Sequence, residues 1–255
     1  SCFTNHSTSL SSWISIYIFR RRLFCMLDLV FAATRGRLQG DVIQMSPQLK
    51  EELLFLAILA PLAVTDMRAS PAPWLDLVDA SDWGIAHVRA PIPQRVSGEL
   101  MRHVLIKGRW TRMLRPAQEW LRRQELLSDE QELPGAPLQP SPLWISIAES
   151  LQFETKYAEP CPDQHINVSE IQSNFVAELA TAIERPDSRW PVGSDSQVAC
   201  GAIVKGRAAS AALNREMQTA LPVTLGSGLY PGGPWYPSKT NVADAPTRDR
   251  PCRKP

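Results

Sequence analysis

The sequence has no excess of either charge: 27 Lys and Arg stand against 26 Asp and Glu, for a net charge of +1. Bulk electrostatics therefore give no reason to expect a nucleic-acid or membrane partner, and any basic footprint must be local. Clusters of cysteine and histidine are missing too. The five cysteines, Cys2, Cys25, Cys161, Cys200 and Cys252, are odd in number and show no CxxC spacing. The four histidines, His6, His87, His103 and His165, are just as dispersed. This argues against a zinc site and predicts reduced thiols in an intracellular protein. Long apolar runs are absent. The stretch at 12–19 is followed, not preceded, by Arg20, Arg21 and Arg22, the wrong order for a secretory signal. It also falls far short of the ~20 residues that cross a bilayer. The chain opens on Ser-Cys rather than Met, which suggests a fragment. Its 255 residues, 44% of them apolar, suffice for one large domain or two modest ones.

Pattern divides the chain near residue 70. From Arg20 to about Val64 the apolar residues recur at helical steps, with Gly36 as a stop. A second helix opens on Ser46 as N-cap with Pro47 at its first position. Beyond the turn-rich 68–73, "WLDLVDAS" and "WGIAHVRAPI" read as the two arms of a hairpin. A Pro-rich stretch at about 91–160 reads as an insertion carrying one helix, "RPAQEWLRRQELL". Then come a strand ("LQFETKYAE"), an amphipathic helix with Ile171, Phe175, Leu179 and Ile183 on one face, and a short strand ("RWPVGSDS"). Two further helices lead to the glycine- and proline-rich "GSGLYPGGPWYPSKT" and a last segment, "NVADAPTRDR".

Four acids fall at strand ends and helix starts: Asp79, Glu170, Asp195 and Asp244. Each has an ordinary reading when taken alone. Asp79 opens a turn in which Asp82 competes for any role, Glu170 meets a helix dipole, and Asp195 and Asp244 cap helices. Together they can converge on one rim of a sheet. Such hard oxygen ligands suit Mg²⁺ or Mn²⁺, and two ions so held are the recurring device for in-line attack on a phosphodiester.

Four segments carry a resemblance: "DAS" with "WG" (79–84), "INVSE" (166–170), "SDSQVACGAIVKGR" (194–207) and "YPSKTNVADAPTR" (236–248). In this order they resemble the ribonuclease H domain of retroelement reverse transcriptases of the DIRS-like kind. The resemblance covers about 71–250, and 1–70 is more loosely similar to the helical stretch joining the polymerase thumb to that domain. It implies an α/β ribonuclease H-like mixed sheet with flanking helices, preceded by a short helical segment. It also implies that Asp79, Glu170, Asp195 and Asp244 are catalytic and hold two Mg²⁺ or Mn²⁺ ions. The implied substrate is an RNA/DNA hybrid, with discrimination through shape and 2′-hydroxyl contacts. A polymerase domain absent from this chain would be a partner, and no membrane is involved.

Basic residues expected at the nucleic acid are Lys205 and Arg207 in "VKGR", and Arg109 and Arg112 in a run with interleaved tryptophans. The sequence also departs from the family. No polymerase Tyr-x-Asp-Asp turn is present, no histidine lies between Asp195 and Asp244, and prolines fall where the fifth strand belongs. These departures favour the alternative, an inactive remnant that binds nucleic acid or protein. A third reading is an integrase- or resolvase-like nuclease on the same fold.

Overall fold

The computed structural model describes residues 6–34, 36–37, 41–104, 124, 126, 142–161, 163–208 and 210–255. Its centre is a hairpin. Strand β2 (Trp74–Ala80) pairs antiparallel with β3 (Gly84–Pro91), and β3 pairs antiparallel with β4 (Glu154–Pro160). The fourth long element of the sheet, β5 (Ser188–Gly193), runs parallel to β2, with Asp76 opposite Val192. A two-residue β1 (Ser70–Pro71) pairs in parallel with the start of β5. On the outside lies β6 (Tyr230–Gly232), parallel to β5. The mixed sheet with flanking helices is consistent with the ribonuclease H-like fold that the resemblance implies.

Proline where the fifth strand was expected does not break a ladder, because β6 is a three-residue edge strand. An edge position tolerates a missing N–H. The last segment does differ from expectation. No α-helix begins at Asp244; the chain makes two short 3₁₀ turns, Val242–Asp244 and Pro246–Arg248. Pro246 has no N–H to offer, and Asp249 adopts the left-handed conformation (φ 55°), so a longer helix cannot propagate.

Alternation along the strands splits the core. Leu75 and Leu77 of β2 join Val88 and Ala90 of β3 on one face. That face is covered by α4 (Gln94–Val104) and α5 (Pro142–Ser150), through Leu100, Trp144 and Ala148. The stretch expected as an insertion thus supplies two helices to the sheet. Its predicted helix at 115–127 lies almost wholly outside the described residues. The other face, with Val78, Trp190 and Val192, meets Ala177 of α6 (Ile166–Glu184).

Helix α6 corrects the predicted apolar face. Ile171 is buried and Phe175 half-buried, but Leu179 and Ile183 are exposed, and the buried side includes Ser173, Asn174, Glu178 and Thr181. Polar groups go inside because charged partners wait there. Asp76, fully buried, accepts from Arg89 Nε and Nη2 at 2.7 and 2.9 Å and from Trp190 Nε1 at 2.6 Å. Arg89 reaches on to Thr181 Oγ1 at 2.9 Å and Glu184 Oε2 at 2.6 Å, with its guanidinium over the Trp74 ring. Burial works to raise the Asp76 pKa, but His87 and Arg89 outweigh it and hold the carboxyl below its usual range. Asp76 and Arg89 face each other across the β2–β3 hairpin, so the register itself makes the pair.

The N-terminal helices pack on the same body. They run α1 (His6–Tyr17), a 3₁₀ segment (Ile18–Leu27), α2 (Asp28–Thr34) and α3 (Pro47–Leu59). As expected, Ser46 caps α3 by accepting from Leu49 N at 3.1 Å, and Gly36 takes φ 70°. Tyr17, Leu23, Leu27 and Leu56 share one core cluster with Ile171 of α6, with α7 (Gln197–Lys205) and with α8 (Ala211–Gly226). Two of the three arginines after the first apolar stretch are buried. Arg22 Nη2 lies 2.6 Å from Glu178 Oε2, and Arg20 Nη2 donates to Thr224 O at 2.7 Å. Gly206 is required by this packing: a Cβ there would come within 1.7 Å of Arg21 O. No helix among the described residues is long and apolar enough to cross a membrane.

The buried network generates a prediction. Asp76→Ala removes the acceptor that Arg89 Nε and the Trp190 indole N–H share and leaves Arg89 its contacts to Thr181 and Glu184; removing one partner of a buried ion pair costs about 3–5 kcal/mol. Equilibrium urea unfolding checks this; a loss below about 1 kcal/mol would show that Glu184 and water replace Asp76.

Candidate metal centre

Asp79, Glu170 and Asp195 each offer a carboxylate oxygen, and these three atoms lie within 4.8 Å of one another. Each arrives by a different route. Asp79 stands one residue before the end of β2 and is buried. Glu170 opens the second turn of α6, one residue past the first turn expected for it, because the helix begins at Ile166 with His165 as N-cap. Asp195 lies two residues past the end of β5, just after Ser194, which bridges to Trp235. The parallel register of β2 and β5 brings the two strand ends side by side, and α6 crosses them.

The capping readings of the acids fail on local geometry. Helix α7 is capped by Ser196, whose hydroxyl accepts from Ala199 N at 3.2 Å. The turn at Val242–Asp244 is capped by Asn241, which accepts from Ala243 N at 3.2 Å. Asp195 and Asp244 are therefore released from capping. Asp82, the rival of Asp79, is exposed in the hairpin turn.

Backbone contacts fix Asp195. The Trp235 indole N–H donates to Asp195 O at 2.7 Å, and Tyr236 N donates to Ser194 O at 3.0 Å. Gly193 permits this closeness, since a Cβ there would lie 2.4 Å from the Tyr236 ring and 2.7 Å from Leu77. The glycine of "GSDS" exists for packing, and it delivers the aspartate behind it.

The electrostatics are those of a site short of positive charge. Burial, then the negative charges of Asp195 and Glu170, push the Asp79 pKa up to about 9. Burial and the Asp195 charge push Glu170 up to about 8, against a hydrogen bond from Ser194 that works to lower it. Glu170 Oε2 and Asp195 Oδ1 are buried without a hydrogen-bond partner. Two orphaned carboxylate oxygens amid like charge fit a hard divalent cation: an all-oxygen set with no imidazole or thiolate suits Mg²⁺ or Mn²⁺.

The fourth acid stands apart. Asp244 is near enough to add to the charge felt by Asp79, but it lies outside the trio and pairs with Arg248 Nη2 at 3.0 Å. Asn241 links the two, donating Nδ2–H to Val78 O at 3.0 Å and lying 3.5 Å from Asp79 Oδ1. Sequence reasoning missed Asn241, although an asparagine three residues before Asp244 is a recognisable cap.

Two of the expected basic residues fall within the described part of the chain. Lys205 is exposed at the far end of α7, ~13 Å along the helix from its start beside Asp195. Arg207 stacks over Phe31 of the N-terminal segment. Arg109 and Arg112 lie outside the described residues. The described cysteines, Cys25, Cys161, Cys200 and Cys252, are free.

No family model and no curated protein matches the chain. Among solved structures, it is similar to a foamy viral protease-reverse transcriptase in complex with RNA/DNA hybrid, at 12% identity and a TM-score of 0.29. The match covers 88% of this chain and 44% of that one, so this chain spans less than half of its length. Similarity at that level does not bear on function.

The raised pKa values fix the sign of a pH effect in metal-free protein. Below about pH 4 the folded and unfolded forms both hold these protons, and the stabilisation is complete. As pH rises the unfolded chain releases them while Asp79 and Glu170 retain theirs to about 9 and 8, so stability falls across that window. Thermal unfolding in EDTA should show it, and the Mg²⁺-induced rise in Tm should be larger at pH 8.5 than at pH 5.5, because metal replaces protons. Equal Mg²⁺ shifts at both pH values would contradict a carboxylate metal site.

Proposed function

We propose that the chain is a metal-dependent endonuclease that cleaves the RNA strand of RNA/DNA hybrids and derives from a retroelement reverse transcriptase. The observation that supports this most is the convergence of Asp79, Glu170 and Asp195 at the end of the β2–β5 pair, with two carboxylate oxygens left without partners. Asp79, Glu170 and Asp195 would hold the ion, and Asp244 would complete a second position only after leaving Arg248. Divalent metal at such a site supplies Lewis-acid stabilisation of the phosphoryl oxygens and a water acidified to attack them.

The residues of the chain set the conditions. Asp79 and Glu170 give up protons when cation enters, so the site is competent above the pH at which metal outcompetes those protons. Asn241 and Ser194 orient the carboxylates, and the Trp235–Asp195 hydrogen bond keeps the strand end from swinging outward. The helical stretch at 1–70 belongs, in this proposal, to the connection with a polymerase domain, and the intracellular setting expected from the thiols goes with it.

The Asp244–Arg248 ion pair favours a second reading, a remnant that keeps the fold and has lost the full ligand set. One assay separates the two. A labelled hybrid incubated with Mg²⁺ or Mn²⁺ should be cut by the native chain, and Asp195→Asn should lower the rate to about one hundredth or less, the scale of losing a catalytic electrostatic group. The folded state should persist and, without metal, gain slightly in stability, since one like charge has left the cluster. No cleavage above a protein-free control with either ion would leave the remnant reading.

A further inference from the structure

The β2–β3 turn carries a tryptophan in an unusual position. Trp83 is 77% exposed, although the other tryptophans of the sheet region are buried or half-buried. Its turn is not loose. Ser81 N donates to Gly84 O at 2.9 Å, and Trp83 N donates to Ser81 Oγ at 3.2 Å. Cys161 N donates to Trp83 O at 3.4 Å, tying the turn to the end of β4. An indole held on a rigid backbone with its faces in water is costly to maintain for packing and well suited to stacking.

The same turn is stitched to the chain's last segment. Ser81 Oγ donates to Thr247 O at 3.2 Å, and the next residue, Arg248, is exposed. From Lys239 to Lys254 there are five cations, Lys239, Arg248, Arg250, Arg253 and Lys254, against two carboxylates, Asp244 and Asp249. All five cations are exposed. In a chain of net charge +1 this is the local basic footprint that bulk composition hides.

The segment is an ordered platform. Arg248 N and Arg250 N both donate to Ala245 O at 3.1 Å, and Arg253 Nη1 donates to Lys239 O at 2.8 Å. Cys252 packs against the core cluster of Tyr236 and Val242, with Sγ 3.3 Å from Thr155 Oγ1. The turn and the segment both reach the Asp79 strand end: Trp83 comes four residues after Asp79, Thr247 meets Ser81, and Asn241 at the start of the segment lies 3.5 Å from Asp79 Oδ1. Chain geometry keeps the Trp83 Cα within ~14 Å of the Asp79 Cα.

We infer that Trp83 and the basic strip of Arg248, Arg250 and Arg253 form one edge of the nucleic-acid groove beside the metal centre. There the indole stacks on a base or sugar and the arginines take backbone phosphates. This deepens the nuclease reading and rests on it for the identity of the ligand, but it places the contact at Trp83 and the last segment and not at Lys205 and Arg207. Phosphate contacts and base stacking are the two sequence-independent devices of nucleic-acid binding, and here both sit on one hydrogen-bonded rim.

The test uses the whole chain in EDTA, so that binding is read without cleavage. Fluorescence anisotropy of a labelled RNA/DNA hybrid is followed for the native chain, Trp83→Ala, and Arg250→Ala combined with Arg253→Ala. Trp83→Ala should weaken binding about tenfold, the effect of removing one stacking partner. The double arginine variant should reduce the slope of log K against log salt by about one to two. Native affinity and native slope in both variants would overturn the inference, even with cleavage in Mg²⁺ intact. Displacement of the hybrid by polyglutamate as readily as by unlabelled hybrid would also overturn it, since the contact would then be charge alone. The expected losses in a chain that cuts nothing would sink the nuclease reading and leave this surface standing.

Discussion

Three carboxylates within 4.8 Å of one another repel, and the surrounding structure has to hold them together. At an effective dielectric of about 20, two unit charges at that separation oppose each other by roughly 3–4 kcal/mol. Protons relieve this in the metal-free protein, which is why Asp79 and Glu170 keep theirs far above the ordinary carboxylate range. The scaffold supplies the rest. Parallel pairing of β2 and β5 places two of the acids side by side, and the buried Asp76–Arg89–Trp190 network locks β2, β3 and β5 to one another behind them. Helix α6 brings Glu170 by burying a polar face on that network.

The N-terminal helices serve the same end. Arg22 pairs with Glu178, two turns along α6 from Glu170, and Thr224 of α8 donates to the other Glu178 oxygen at 2.6 Å. Asn214 and Gln218 of α8 both donate to Cys25 O, at 2.7 and 2.8 Å. The helix that carries one acid is thus braced by charge and hydrogen bonds from the segment at 1–70, not by apolar contact alone.

Much of this was legible in the sequence. An apolar run and an alternating one marked β2 and β3, Ser46-Pro47 and Gly36 marked helix ends, and three of the four acids singled out come within reach of one another. What stayed hidden has a physical reason in each case. The buried face of α6 is polar, and hydrophobic periodicity cannot register a residue that goes inside to meet a charge. The Asp76–Arg89 pair depends on cross-strand register, which appears only once the hairpin is aligned. Thr247 comes back through the fold to Ser81 in the turn after Asp79, a meeting of segments 166 residues apart that local pattern does not encode.

The central claim is that the trio is a metal site, and a bound ion is its most direct test. Crystals grown in MnCl₂ and measured near the manganese absorption edge would locate it by anomalous scattering. The account predicts a peak among the carboxylates of Asp79, Glu170 and Asp195, about 2.0–2.3 Å from their oxygens, as hard six-coordinate cations require. A trio that stays free of anomalous density at millimolar Mn²⁺ and pH 8.5 would contradict it.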